Sequence, residues 1–572
     1  MRPFMKVCFL LVGALLSFSA ILMASQEKSW AYKTLEAMSL DEKIGQLFMI
    51  AGYIDPEFAK SEIGNPQIIQ EIDRYIAEYY VGGIAYVGPS ESAKQVALTN
   101  HYQEISKYPI LIAQDLEWGL AMRLKDGMRF PKNITLGAVD DNDLIYKMGK
   151  EIGVQAKLIG VHMNLSPVLD VNIEPENVVI NVRSFGDSPQ KVAEKGIAMI
   201  RGLQDAGIIA SAKHFPGLGD ITIDPHLGLP YNQHGKKRLQ DVELYPFAQA
   251  IKAGVLSIQT EHLMVPSLES DPNTPSSLSS KIINDLLKKE LGFTGLVLSG
   301  ALRMKALTNH ISDEEITLKA FLAGNDMLLM PQDFPKAYRV LKTALADGTI
   351  IEKEVDERVL KILQMKEKVK LDCHRFIVTP TPAQLNSPFA KDLKKELYQA
   401  AISLVRNNQQ LIPLSLSLSK EKNIAYVQLG DASSTDFSEK LGRSLNLDSF
   451  FFPLIHDNEE KVEVLLQQLD KYSLIILAVY PADPRRIAEI RLLNETKQKE
   501  ELKFFRVHGV PESMISLINA LETYQEKTIV TFFGNPFGIH FFDGYTTLLM
   551  AYEADPDAQE AAANILIGER QM

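Results

Sequence analysis

Two histidines and two aspartates crowd one short segment, Lys213-His214-Phe215-Pro216-Gly217-Leu218-Gly219-Asp220-Ile221-Thr222-Ile223-Asp224-Pro225-His226, on a loop rich in Gly and Pro. Asp224 and His226 stand two apart, near enough for the carboxylate to orient the imidazole and hold its proton. Imidazole titrates near pH 6.5, which suits it to proton transfer around neutrality. Metal binding is a rival reading of this pair, but no Cys or HExxH partner accompanies it, and no metal is expected. A structural hydrogen bond within the loop is the third.

Further polar residues follow short apolar runs. Asp115 and Glu117, with Trp118 beside them, come after Ile110–Ala113, and Arg183 lies on a long excursion after Val161–Leu165. Lys213-His214, Glu261-His262 and Ser299-Gly300 close three later runs. Such donors and acceptors beside an aromatic surface suit a polyhydroxylated ligand, whose ring face an indole can cover. The plainer alternative is a rim of ion pairs.

Eight apolar runs alternate with helical patterns between residues 40 and 365. They are Leu47–Ile50, Gly83–Val87, Ile110–Ala113, Val161–Leu165, Ile208–Ala212, Val255–Ile258, Leu296–Ser299 and Met327–Met330. Near-continuous apolar strands separated by helices predict a parallel sheet covered on both faces, and eight such units predict a TIM-like (β/α)8 barrel. The capping box at Ser39–Glu42 and the stop at Gly292 after Lys281–Leu291 mark helix ends. Pro380, Pro382 and Pro388 interrupt the rhythm. The expected division is a barrel over 30–370, a linker over 371–392 and a smaller C-terminal α/β sandwich over 393–572. In the last, a helix over Leu393–Val405 precedes strands at Ile424–Leu429, Leu474–Val479, Thr528–Phe533 and Thr547–Met550.

With 572 residues, 46% apolar and 23% charged, the chain is neither fibrous nor disordered. A net charge of −12 gives nucleic acid nothing to bind. Its two cysteines, Cys8 and Cys373, exclude a disulfide framework. Arg2 and Lys6 ahead of the apolar run Val7–Met23 form the pattern of a signal peptide over 1–25, cleaved near Ala24. An uncleaved anchor is the other reading of that run. Export to the periplasm or beyond is expected, with no stable membrane span after cleavage.

Residues 213–226, read as Lys-His-Phe-Pro-Gly-x-Gly-Asp…Asp-x-His, resemble the signature of glycoside hydrolase family 3, on its β-N-acetylglucosaminidase branch. The likeness runs through Met38–Met49, Asp115–Arg123, Leu165–Asn172, Arg183–Gly186, Ala323–Pro331, Leu411–Leu414 and Gly534–Pro536. It implies a retaining two-step hydrolysis of β-linked N-acetylglucosamine-containing glycans, peptidoglycan fragments among them, with no cofactor. By the same resemblance, Asp224 and His226 form the acid/base dyad, and Asp115, Arg123, Arg183, Lys213 and His214 hold the sugar. The family's nucleophilic Asp falls on Gly300, within Ser299-Gly300-Ala301-Leu302-Arg303-Met304. Glycine cannot form a glycosyl ester. Leu218 and Pro225 are two further departures nearby. Two expectations result: a hydrolase with displaced chemistry, in which Glu261 substitutes for the nucleophile or activates a water, or an inactive carbohydrate-binding descendant. A phosphorylase would need the same absent carboxylate.

Overall fold

A computed structural model describes residues 28–65, 67–414, 423–453, 459–482 and 508–569. The signal segment over 1–25 lies outside them. Eight strands form one parallel sheet: β1 Phe48–Tyr53, β2 Gly83–Val87, β3 Leu111–Gln114, β4 Met163–Asn164, β5 Ile209–Phe215, β6 Ser257–Thr260, β7 Leu296–Leu298 and β8 Leu328–Leu329. Their order is β7-β6-β5-β4-β3-β2-β1-β8, and a parallel bridge between Leu298 and Met327 closes the ring. Every strand stands where the apolar runs predict one, shifted by a few residues at its ends. Strand β4 is only two residues long, and Pro167 soon after it has no N–H to extend the ladder.

The helix signals act as expected. Ser39 and Glu42 complete a reciprocal capping box on Leu40–Gln46, and Gly292 (φ +72°) follows Lys281–Glu290, which is wound as a π-helix. The barrel core is one continuous cluster running from Ala31 to Leu397.

The second sheet has the order β11-β10-β12-β13-β14-β9, from β9 Ser403–Asn407, β10 Ile424–Gly430, β11 Leu447–Pro453, β12 Leu474–Val479, β13 Thr528–Phe532 and β14 Thr547–Met550. All neighbours are parallel except β9, which runs antiparallel to β14 at one edge. Apolar clusters cover both faces, making an α/β sandwich. Two local expectations need correction here. The helix predicted over Leu393–Val405 spans Pro388–Ala401, and the chain then turns into β9. Pro at the first helical turn explains the earlier start, since its missing N–H is unpaired there anyway. Edge strand β11 went unrecognised: its face is partly exposed and it ends at Pro453, so it lacks the buried apolar signature.

The helix Pro388–Ala401 packs against both Asn142–Leu158 of the barrel and Pro556–Leu566 of the sandwich. Lys394 bonds Asp555 (2.9 Å) and Asp557 (3.1 Å). Glu553, just after β14, is buried against the barrel. Its Oε1 accepts from the Lys132 backbone N–H (2.8 Å) and from the Thr135 hydroxyl (2.7 Å), while Oε2 accepts from Arg129 (3.3 Å). No helix among the described residues is long and apolar enough to cross a membrane.

Candidate active site

The carboxyl ends of β3 and β5 flank β4 and carry a dense cluster of charge. Lys213, 3% exposed, donates from Nζ to Asp115 Oδ1 (2.6 Å) and lies 3.0 Å from Glu117 Oε1. Arg123, from the turn after β3, holds the other oxygen of Asp115 at 2.6 Å. Arg183 grips Glu117 with two nitrogens, Nε at 3.0 Å and Nη2 at 2.7 Å. Burial pushes the Asp115 carboxyl upward, but Lys213 and Arg123 outweigh it and hold it well below the usual range. For Glu117 burial acts the same way, yet Arg183 and Lys213 bring the carboxyl down to about 2. Both acids are therefore ionised at neutral pH.

Glu117 makes stability depend on pH with a definite sign. Its folded pKa lies below the ordinary glutamate value, so its contribution is complete above about pH 4.5 and is lost as pH falls toward 2. The loss should amount to about 3 kcal/mol. Thermal melts of Glu117→Gln should accordingly show a flatter acid limb than those of the parent.

His214 follows Lys213 on β5. Its Nδ1 lies 2.6 Å from Asp170 Oδ2 and its Nε2 lies 3.3 Å from Arg183 Nη2. Arginine can only donate, so Nε2 accepts and the ring proton sits on Nδ1, facing Asp170. Asp170 also accepts from the Leu218 N–H (2.6 Å), which fixes the start of the catalytic-type loop. Asn535 of the second domain bonds Asn181 (2.6 Å), and Asn133 bonds the Arg183 carbonyl (2.6 Å), bracing the excursion that carries Arg183.

His226 and Asp224 form a further imidazole–carboxylate pair, with Nδ1 to Oδ1 at 2.8 Å. The His226 side chain is 68% exposed, whereas His214 is buried. The loop is pinned beside the β7 terminus by the Ala306 N–H on the Pro225 carbonyl (3.1 Å). The Asp224 hydrogen bond raises the His226 pKa against the opposing effect of burial. The Glu261 carboxylate adds to the rise and Arg183 opposes it, so the ring lies within the fields of both.

At the β7 terminus, a side chain on Gly300 would not enter open space. A Cβ there would stand 2.9 Å from His262 Cε1, 3.0 Å from His262 Nε2 and 3.0 Å from the Thr260 carbonyl. His262 is itself fixed, with Nδ1 2.7 Å from Ser277 Oγ and Nε2 2.9 Å from the Ala301 carbonyl. Gly300→Ala should therefore destabilise the fold by about 1–3 kcal/mol through overpacking, read as a fall in urea midpoint at constant slope.

Asp220, His234 and Glu243 also gather donor atoms within 4.8 Å of one another. Arg238 bonds both carboxylates, to Asp220 at 3.1 Å and to Glu243 at 2.7 Å, so one guanidinium already serves the two acids.

A closed parallel barrel with its buried charges collected at the carboxyl ends of the strands is the architecture of a barrel enzyme. The chain belongs to glycosyl hydrolase family 3, since residues 39–365 match the model of the Glycosyl hydrolase family 3 N terminal domain. It is 26% identical over 554 residues to Beta-hexosaminidase A of Pseudoalteromonas piscicida, covering 87% of this chain and 89% of that one. It is 35% identical over 283 residues to a Beta-hexosaminidase of Nitrosomonas eutropha, covering 48% of this chain and 80% of that protein. Among solved structures, a glycoside hydrolase family 3 beta-N-acetylglucosaminidase from Paenibacillus sp. str. FPU-7 superposes with a TM-score of 0.73 at 28% identity, covering 94% and 98% of the two chains.

The structure thus brings Asp115, Arg123, Arg183, Lys213 and His214 into one network. It sets Asp224 and His226 on an exposed loop whose imidazole feels Arg183 and Glu261. Asp170 was missed as the partner of His214, although it lies within Leu165–Asn172; a carboxylate in a run that resembles the family's was the available signal. Nothing in the sequence marked Glu553, because its partners are more than 400 residues away.

Proposed function

We propose that the protein binds β-linked N-acetylglucosamine-containing glycans at the mouth of the barrel and hydrolyses the glycosidic bond, with His226 as the proton donor. The observation that carries this reading is the network of Asp115, Lys213, Glu117 and Arg183, built around the buried Lys213 and Glu117, with an exposed His226 held by Asp224 in the field of the same arginine. Fixed acceptors and donors in a dry pocket suit sugar hydroxyls, and an imidazole held by a carboxylate suits protonation of a leaving oxygen. Hexosaminidase relatives supply the substrate class. Arg2, Lys6 and the apolar run Val7–Met23 support export to the periplasm or beyond.

One observation favours a second reading. Gly300 stands at the family's nucleophile position and the His262 ring packs over it, which fits a carbohydrate-binding protein without turnover.

Hydrolysis of 4-nitrophenyl β-N-acetylglucosaminide, measured beside calorimetric binding of N-acetylglucosamine, separates the two. His226→Gln should lower kcat/KM by about 10²-fold, the low end for general acid catalysis, because nitrophenolate needs little help to leave. Because the raised pKa keeps His226 protonated to higher pH, the rate should fall only as pH rises through that value. Asp224→Asn should move this alkaline limb to lower pH. Sugar binding without turnover would establish the binding protein, and absence of binding would defeat both readings.

A further inference from the structure

The second carboxylate of the site is identifiable from geometry. Glu261 extends the β6 ladder by one residue, its N–H bonding the Phe215 carbonyl at 2.8 Å. On β6 and β5, Ser257 and Ser211 meet at 2.9 Å through their hydroxyls. Strand alternation places Glu261 on the same side as Ser257. Lys213, two beyond Ser211, reaches past β4 to Asp115 at the end of β3, so that side faces the interior.

Glu261 is 4% exposed. Its Oε1 accepts from the His262 backbone N–H at 2.8 Å and lies 4.0 Å from His262 Nε2. Among the described residues, no lysine or arginine lies within ion-pair distance of it. A carboxylate taken out of water without a cation is costly, and structural acids are normally paired. Rim ion pairing, the plain alternative from sequence, therefore does not describe Glu261. Its position is informative too. His262 Nε2 is 3.0 Å from the Cβ point at Gly300 and 4.0 Å from Glu261 Oε1. The carboxylate is thus no farther from that point than those two spans together. It comes from β6, the neighbouring strand, rather than from β7.

We propose that Glu261 is a catalytic residue, the general base that activates water beside Gly300, so that hydrolysis inverts the anomeric centre. This rests on the sugar-binding reading above. In the step, the water oxygen bonds to the anomeric carbon while Glu261 takes its proton. The bond from that carbon to the leaving oxygen breaks, its electron pair stays on the oxygen, and His226 protonates it. Glu261 then returns its proton to solvent and His226 recovers one, so the net reaction is the addition of one water. A water that attacks directly in a single displacement inverts the anomeric centre, whereas a glycosyl-enzyme intermediate would retain it.

The test uses the full chain, 4-nitrophenyl β-N-acetylglucosaminide and proton NMR of the first sugar released. The expected result is the α anomer first. Glu261→Gln keeps an oxygen for the His262 N–H and should lose about 10³-fold in kcat while N-acetylglucosamine affinity stays within about 2-fold. Should that variant lose stability, Glu261→Ala with azide gives a second readout, since the added anion should restore turnover and yield an α-glycosyl azide. The β anomer first, retention of most activity in Glu261→Gln, or sugar binding by a parent that never turns over would each overturn the role of Glu261 while leaving the sugar site intact. Failure of both proteins to bind N-acetylglucosamine would instead remove the sugar-binding reading itself.

Discussion

Replacing Lys213 by methionine should destabilise the protein by about 3–5 kcal/mol and abolish N-acetylglucosamine binding. The ammonium serves Asp115 at 2.6 Å and Glu117 at 3.0 Å at once. Without it each carboxylate keeps one arginine, but the buried Glu117 and the partly buried Asp115 lose the cation that stood between them. The pH response distinguishes this from simple misfolding. With Lys213 gone, both carboxyls titrate higher, so protonation relieves the repulsion and the deficit should shrink between pH 7 and about 4.5. Urea unfolding at the two pH values reads the difference. A deficit that grows on acidification would refute the electrostatic account.

The second large effect is expected far from the sugar. Glu553→Ala should cost about 3 kcal/mol and split a single calorimetric transition into two. Glu553 is 7% exposed and satisfies Arg129, the Lys132 N–H and the Thr135 hydroxyl, all on the barrel. Truncation leaves the Lys132 N–H and the Thr135 hydroxyl beside a hole, and the sandwich loses a buried contact with the barrel. Glu553→Gln should cost less, because its amide oxygen can still accept. Equal losses in the two variants would argue against the hydrogen-bonded anchor.

The barrel was legible in the sequence because its strands are buried on both faces and read as unbroken apolar runs. β9 and β11 were not, since edge strands show mixed exposure and their identity depends on partners distant in the chain. Asp115 and Lys213 could be picked out by position at strand ends and Arg183 on its excursion, yet Glu117, which pairs with both Lys213 and Arg183, became central only in three dimensions. Gly300 was visible as a departure, but the His262 ring lying against it was not. Sequence registers the lost carboxylate; only packing shows what crowds the space where it would attach.

Two of the Asp–His pairs differ in one respect that reaches beyond geometry. His214 is sealed beneath Arg183, while His226 stands 68% exposed on its loop. A group that surrenders a hydrogen ion in each cycle must be recharged before the next. His226 can draw that ion straight from bulk solvent without a relay through the interior. Recharging therefore leaves the dry cradle undisturbed, and buffer concentration should have little influence on the steady-state rate.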